Sequence, residues 1–212
     1  MKTADLIAAL AAEPPPPALR LGRRVALALV LGAAISAALF MTALGPRHDF
    51  AAAAHTMRFD LKFVDTLALL LPSALLALRL LRPEARPGAL IAALVAPFVL
   101  LGGAAVVELV VTPADLWMTR LVGTNAQHCL TLIPLMSIPP LAALIVAMRA
   151  GAPSHPALTG ALAGAAAAGA AATIYATNCT DDSPLFVASW YPLATLVVVA
   201  AGALAGRKWL QW

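Results

Sequence analysis

Apolar and polar positions alternate along this chain in long blocks. Six apolar runs, at about 25–44, 62–81, 89–111, 129–148, 157–176 and 185–205, are separated by short polar stretches. At 1.5 Å rise per residue, each run is long enough to cross a bilayer core of roughly 30 Å as a helix. The pattern predicts an all-α integral membrane protein with six transmembrane helices and short loops. A polar leader (1–24) precedes the bundle (25–206), and a basic, aromatic anchor (207–212) follows it.

The runs differ in what they ask of their neighbours. The fourth carries Pro134, Pro139 and Pro140, which remove backbone donors and predict a bend. The fifth is mostly alanine and glycine. Its Gly160 and Gly164, continued by Ala168 and Ala172 at the same spacing, predict a face for close helix packing, and Gly202 and Gly206 repeat that spacing in the sixth run. In the leader, residues 3–11 predict one short helix with Leu6, Ile7 and Leu10 on one face, ended by four prolines at 14–17. Its apolar face suits either a membrane surface or a cytoplasmic protein partner. The pair Arg23-Arg24 before an apolar run also has the look of a twin-arginine export signal, but no small-x-small cleavage site ends the run and five more runs follow.

Composition agrees with the block pattern. Of 212 residues, 62% are hydrophobic and 11% charged. Soluble domains average about 45–50% and about 25%. Charge placement then sets the orientation. The leader, the second–third turn, the fourth–fifth turn and the tail hold ten cations: Lys2, Arg20, Arg23, Arg24, Arg79, Arg82, Arg86, Arg149, Arg207 and Lys208. The other face holds four: Arg47, Arg58, Lys62 and Arg120. Short loops richer in Lys and Arg face the cytoplasm, so both termini are expected there.

The outer face then carries the chemistry. Cys129 and Cys179 are the only cysteines, and the excursion between them crosses the membrane and returns. They are expected at one face and one depth, where they can pair, hold a soft cation transiently or react; a cysteine at a helix end is also an ordinary small apolar residue. His128 is adjacent, and His48 and His55 lie on the same face. Two cysteines exclude a four-cysteine zinc site, and no phosphate-binding glycine loop, HExxH, GxSxG or CxxC occurs, so the chain is not expected to be an enzyme or to need a cofactor. Arg58, Lys62, Asp65 and Glu108 form a predicted structural cluster, with Lys62 paired to Asp65 or Glu108, because ionisable groups at this depth are costly unless paired. A small transporter or channel is the competing class; it calls for polar groups at mid-membrane or an inverted repeat, and neither is evident.

The sequence resembles the NrsF family of proteobacterial membrane anti-sigma factors, negative regulators of the extracytoplasmic-function (ECF) sigma factor SigF. The similarity runs the whole length. It comprises Asp5-Leu6-Ile7-x-x-Leu10 before the prolines, Arg58-Phe59-x-x-Lys62, Cys129 opening the fourth run, and Arg149-Ala150-Gly151-Ala152-Pro153. It continues through Gly160-Ala161-x-x-Gly164, Asn178-Cys179-x-Asp181-Asp182, Phe186, Trp190-Tyr191, Gly202-Ala203-x-x-Gly206 and the closing Trp. Asn178 departs from the pattern, which has histidine there. The resemblance implies a protein that holds an ECF sigma factor at the inner membrane through Asp5, Leu6, Ile7 and Leu10. It also implies release of that factor under heavy-metal or oxidative stress sensed at Cys129 and Cys179. The implied surroundings are membrane lipid, with no direct contact to nucleic acid; the oligomeric state is left open.

Overall fold

The computed structural model describes residues 3–12, 18–83, 85 and 88–211. Among these the structure is helical, with no strand: α1 Thr3–Ala12, α2 Ala18–Ala43, α3 Phe50–Ala53, α4 Met57–Leu80, α5 Leu90–Val111, α6 Trp117–Val122, α7 Ala126–Met148, α8 Pro156–Ala176 and α9 Pro184–Trp209. Six helices (α2, α4, α5, α7, α8 and α9) are long and apolar enough to cross a membrane. They contain the six predicted runs almost entirely and extend beyond several of them. The loop at 45–61 holds the short α3 and the first turn of α4. The loop at 112–128 is structured too, by a 3-10 turn (Ala114–Leu116) and α6. Local signals place the ends. Thr56 caps α4, its hydroxyl accepting from the Phe59 amide, and Pro156 and Pro184 open α8 and α9 where a missing N–H costs nothing.

The bundle is organised around α8. Of its apolar stretch 72% is buried, against 39% or less in each other span. Small residues make this possible, and the tightest seam is with α9. A Cβ on Gly160 would stand 2.2 Å from the Gly202 carbonyl oxygen, and one on Gly202 would stand 2.4 Å from the Gly160 carbonyl oxygen. Gly206 and Gly164 are as constrained, by the Pro156 and Val198 carbonyls. Backbone therefore meets backbone, and dispersion between closely packed chains takes the place of the hydrophobic effect that lipid cannot supply. By contrast α5 is the most exposed span, and its Val95, Phe98, Val99, Val106 and Val110 face outward, as a lipid-contacting helix requires.

α7 remains helical through its prolines, and the structure shows how. Pro140 has no N–H for the Met136 carbonyl. The Ser36 hydroxyl of α2, buried beside it, donates to that oxygen at 2.6 Å. Gly32, one turn before Ser36, lets α2 close on this point; a Cβ there would lie 2.4 Å from Pro140 Cα.

Each end of the bundle gathers its own loops. At one end Ala152 donates to Leu81 and Ser154 to Pro83, so the second–third and fourth–fifth turns touch. All five ion pairs found among the described residues lie at the other end.

Candidate functional site

The loop joining α8 to α9, residues 177–183, is tied to three other parts of the chain. Its Thr177 carbonyl accepts from the Arg47 amide at 3.0 Å, and the Asn178 side chain donates to the Gly45 carbonyl at 2.8 Å. These contacts bind it to the loop after α2. Asp181 binds it to the start of α7: its carboxylate accepts from the backbone amides of Thr124 and Asn125 at 2.9 and 2.8 Å and from the Asn125 side chain at 2.9 Å. Gly123, with φ of +58°, permits this approach, since a Cβ there would collide with the Phe186 ring and the Asp181 carboxyl. The third tie is to α4, through Lys62.

Lys62 is 1% exposed. Its Nζ donates to the Cys179 carbonyl at 2.8 Å and forms an ion pair with Asp182 at 2.5 Å. Arg47 reaches the same two acceptors from the other side: Nη1 donates to Asp182 at 2.8 Å and to the Cys179 carbonyl at 3.2 Å, while Nε and Nη2 hold Asp49. The Asp49 and Asp182 carboxylates push the Arg47 guanidinium above its ordinary range, and the same guanidinium holds the Asp49 carboxyl below its own. Phe59 lies beneath both cations, its ring centroid 5.3 Å from Lys62 Nζ and 6.0 Å from Arg47 Cζ.

Beneath this cap lie the thiols. Cys129, in the first turns of α7, and Cys179 are both fully buried and both free. They sit side by side, close enough for the Cys129 S–H to donate to the Cys179 sulfur. The Cys179 Sγ also approaches the Asp181 carbonyl at 3.8 Å. The donated S–H bond and the nearby Lys62 charge together outweigh burial and bring the Cys179 thiol down to about 7. Tyr175, Tyr191, Phe186 and Ile133 close the surroundings. The chain thus holds two reduced thiols in contact, one of them activated, in a dry pocket under a charged lid. Such a pair can lose two electrons and two protons to form a disulfide, or exchange its protons for a soft cation.

Other expected residues fall elsewhere. His128 is exposed, as are His48 and His55, and among the described residues no three His, Cys, Asp or Glu side chains are grouped to hold a metal ion. The expected cluster of Arg58, Lys62, Asp65 and Glu108 falls into two ion-paired units, with Asp65 in neither. Glu108, 3% exposed, is held by Arg58 at 2.7 Å and by Arg120. Lys62 is taken by Asp182 instead, because the loop carbonyl and carboxylate offer it two acceptors at the helix end. Asp65 pairs with neither; its Oδ1 is buried without a hydrogen-bond partner. Arg47 and Asp182 are the important residues that local spacing did not single out. On α1, Asp5 and Ile7 are exposed, while the side chains of Leu6 and Leu10 lie outside the described residues.

Comparison with known proteins shows the family. The family described as "Negative regulator of sigma F" matches residues 10–212. The "Probable anti-sigma-F factor NrsF" of Azospira oryzae is 34% identical, with both chains covered in full. The "Anti-sigma-F factor NrsF" of Caulobacter vibrioides is likewise 34% identical, again with both chains covered in full. No solved structure matches.

Proposed function

The chain belongs to the NrsF family of negative regulators of sigma F, and from that premise we propose that it is an inner-membrane anti-sigma factor whose sigma partner is of the ECF class. Both termini face the cytoplasm, and α1 with Asp5, Leu6, Ile7 and Leu10 holds the sigma factor away from RNA polymerase. The Cys129–Cys179 pair faces the outer side and is the sensor of oxidants or soft metal ions.

The observation that carries this reading is the contact between the two buried thiols at the meeting point of α7, α8 and α9. In oxidation, the Cys179 thiolate and the Cys129 thiol give two electrons to the oxidant and one proton to solvent as the S–S bond forms. That bond is about 2.05 Å long, so the sulfurs must close from non-bonded contact. Cys179 moves with its carbonyl, which carries Lys62 and Arg47, and the shift is passed to α4 and to the glycine seam of α8 and α9. Helices packed backbone to backbone answer such a pull by a rigid-body shift. Moving a two-state equilibrium from 1:99 to 99:1 takes about 5.5 kcal/mol, of the order of the upper range for a disulfide or well within thiolate–metal ligation.

The test is co-purification of the sigma factor with the full chain from cells stressed with cadmium or chromate. Wild type is expected to release its partner and the Cys129→Ser/Cys179→Ser variant to retain it. Equal release from both refutes the sensor role; absence of any sigma factor in unstressed membranes refutes sequestration.

A further inference from the structure

A second cavity, separate from the thiol pair, opens between α4, α5, α8 and α9. It has a volume of about 380 Å³, inside the roughly 300–1,000 Å³ range of small-molecule sites. Its walls are almost wholly hydrocarbon, including Phe98, Leu162 and Leu196. Phe98 and Leu196 are each more than half exposed on the outer surface of the bundle, so the cavity is reached sideways from the bilayer.

Three side chains with an unpartnered buried oxygen interrupt the apolar wall, Asp65 and Ser73 from α4 and Tyr191 from α9; Thr66 and Thr195 also line it. Asp65 (7% exposed) and Ser73 (fully buried) line the cavity from α4, and neither Asp65 Oδ1 nor Ser73 Oγ has a hydrogen-bond partner. No Lys or Arg pairs with Asp65 among the described residues, although Lys62 lies one turn away, because Lys62 is committed to Asp182 and Cys179. A buried carboxyl oxygen left without a partner is costly, and a ligand that hydrogen-bonds to Asp65 recovers that cost. Eight residues separate Asp65 from Ser73, about 12 Å along the helix. The geometry points to a binding site for a membrane-dissolved hydroxylated lipophile, its hydroxyl on Asp65 and its hydrocarbon body along the wall past Ser73. A hydroxyl suits the site because it donates to a carboxylate and accepts from a carboxylic acid, satisfying Asp65 in either protonation state. The ring of Tyr191 lines the same cavity and packs against Tyr175 beside the thiols, so an occupant touches the wall that the sensor pair rests on.

The full chain in detergent is tested with 4-octylphenol and with octylbenzene, which differ only by the hydroxyl. Saturating 4-octylphenol is expected to raise Tm by about 5 °C, and octylbenzene by less than half as much. Asp65→Leu is expected to reduce the phenol's shift to that of octylbenzene. Leu162→Trp, which fills the cavity, and Leu196→Trp, which blocks its mouth without touching the core, are each expected to remove the shift. Equal shifts from the two probes in the wild type overturn the inference, as does a full phenol shift in Asp65→Leu or in the Leu196→Trp variant. This outcome is independent of whether a sigma factor binds.

Discussion

Lys62 Nζ stands 2.8 Å from the carbonyl oxygen of Cys179, 117 residues away, and so fixes that cysteine to the N-terminal end of α4. The same ammonium pairs with Asp182 and lies over Phe59, so one buried charge helps to hold the loop and adds to the Cys129 S–H bond in favouring the Cys179 thiolate.

Replacing Lys62 by Met keeps most of the side-chain volume and removes the charge. Asp182 retains Arg47 and is partly exposed, so the loss is expected to be modest for a buried pair, about 2 kcal/mol, read by thermal or denaturant unfolding in detergent. The titration moves as well. With the Cys179 thiol at about 7, thiolate ultraviolet absorbance is expected to appear through neutral pH in the wild type; in Lys62→Met it is expected to move part of the way toward the ordinary thiol range near 8.5, because the Cys129 S–H bond remains. The sign for stability follows. A lowered thiol favours the folded state once pH exceeds the unfolded value near 8.5, and that contribution fades as pH falls through about 7.

Asp181 holds the start of α7 through two backbone amides and the Asn125 side chain. Asp181→Ala is expected to open the lid locally without unfolding the bundle. N-ethylmaleimide is expected to label the cysteines of the variant at least ten-fold faster than the wild type, equivalent to lowering the local opening free energy by about 1.4 kcal/mol or more.

Ser36 and Pro140 form a compensating pair across α2 and α7. Ser36→Ala leaves the buried Met136 carbonyl without its donor and is expected to cost about 1–2 kcal/mol. In a Pro140→Ala background the backbone amide gained at position 140 can serve that carbonyl, so the same Ser36 change is expected to cost distinctly less. The non-additivity in a double-mutant cycle is the measurement.

Glycines divide sharply by environment. Gly160→Ala places a methyl into the Gly202 carbonyl and is expected to cost about 1–3 kcal/mol, through overpacking. Gly102→Ala and Gly103→Ala meet nothing within 4 Å on the exposed face of α5, and each is expected to leave stability unchanged or raise it by up to about 1 kcal/mol.

Orientation is open to direct labelling. In a Cys129→Ser/Cys179→Ser background, a cysteine at exposed position 128 is expected to react with an impermeant maleimide in intact spheroplasts. One at exposed position 149 is expected to react only after permeabilisation. The native thiols are unsuited to this, since both are fully buried.

Much of this was legible in the amino-acid order. Twenty-residue apolar runs have few structural solutions in lipid, and GxxxG spacing on two neighbouring helices marked the seam that Gly160 and Gly202 form. The ion pairs were not legible. Spacing on one helix pointed Lys62 at Asp65, but sequence proximity on a helix says little when an acceptor arrives from another element. Asp182 arrives with a backbone carbonyl beside it, which no local pattern records. Arg47 carries no local signal for the same reason, although the charge pattern places its loop and the Asn178–Asp182 stretch on one face. The short helices α3 and α6 escaped because four and six residues carry too little periodicity to stand out from a loop.

The central claim is that chemistry at Cys129 and Cys179 governs the hold on a sigma factor at the far end of the bundle. It is tested most directly by treating membranes that carry the full chain and its bound sigma factor with graded, metal-free oxidant. The Cys129–Cys179 disulfide and the retained sigma factor are then quantified in the same samples. The account predicts that retained sigma factor falls in proportion as the disulfide forms, and returns on reduction and re-addition. Complete disulfide with the sigma factor still bound would contradict it.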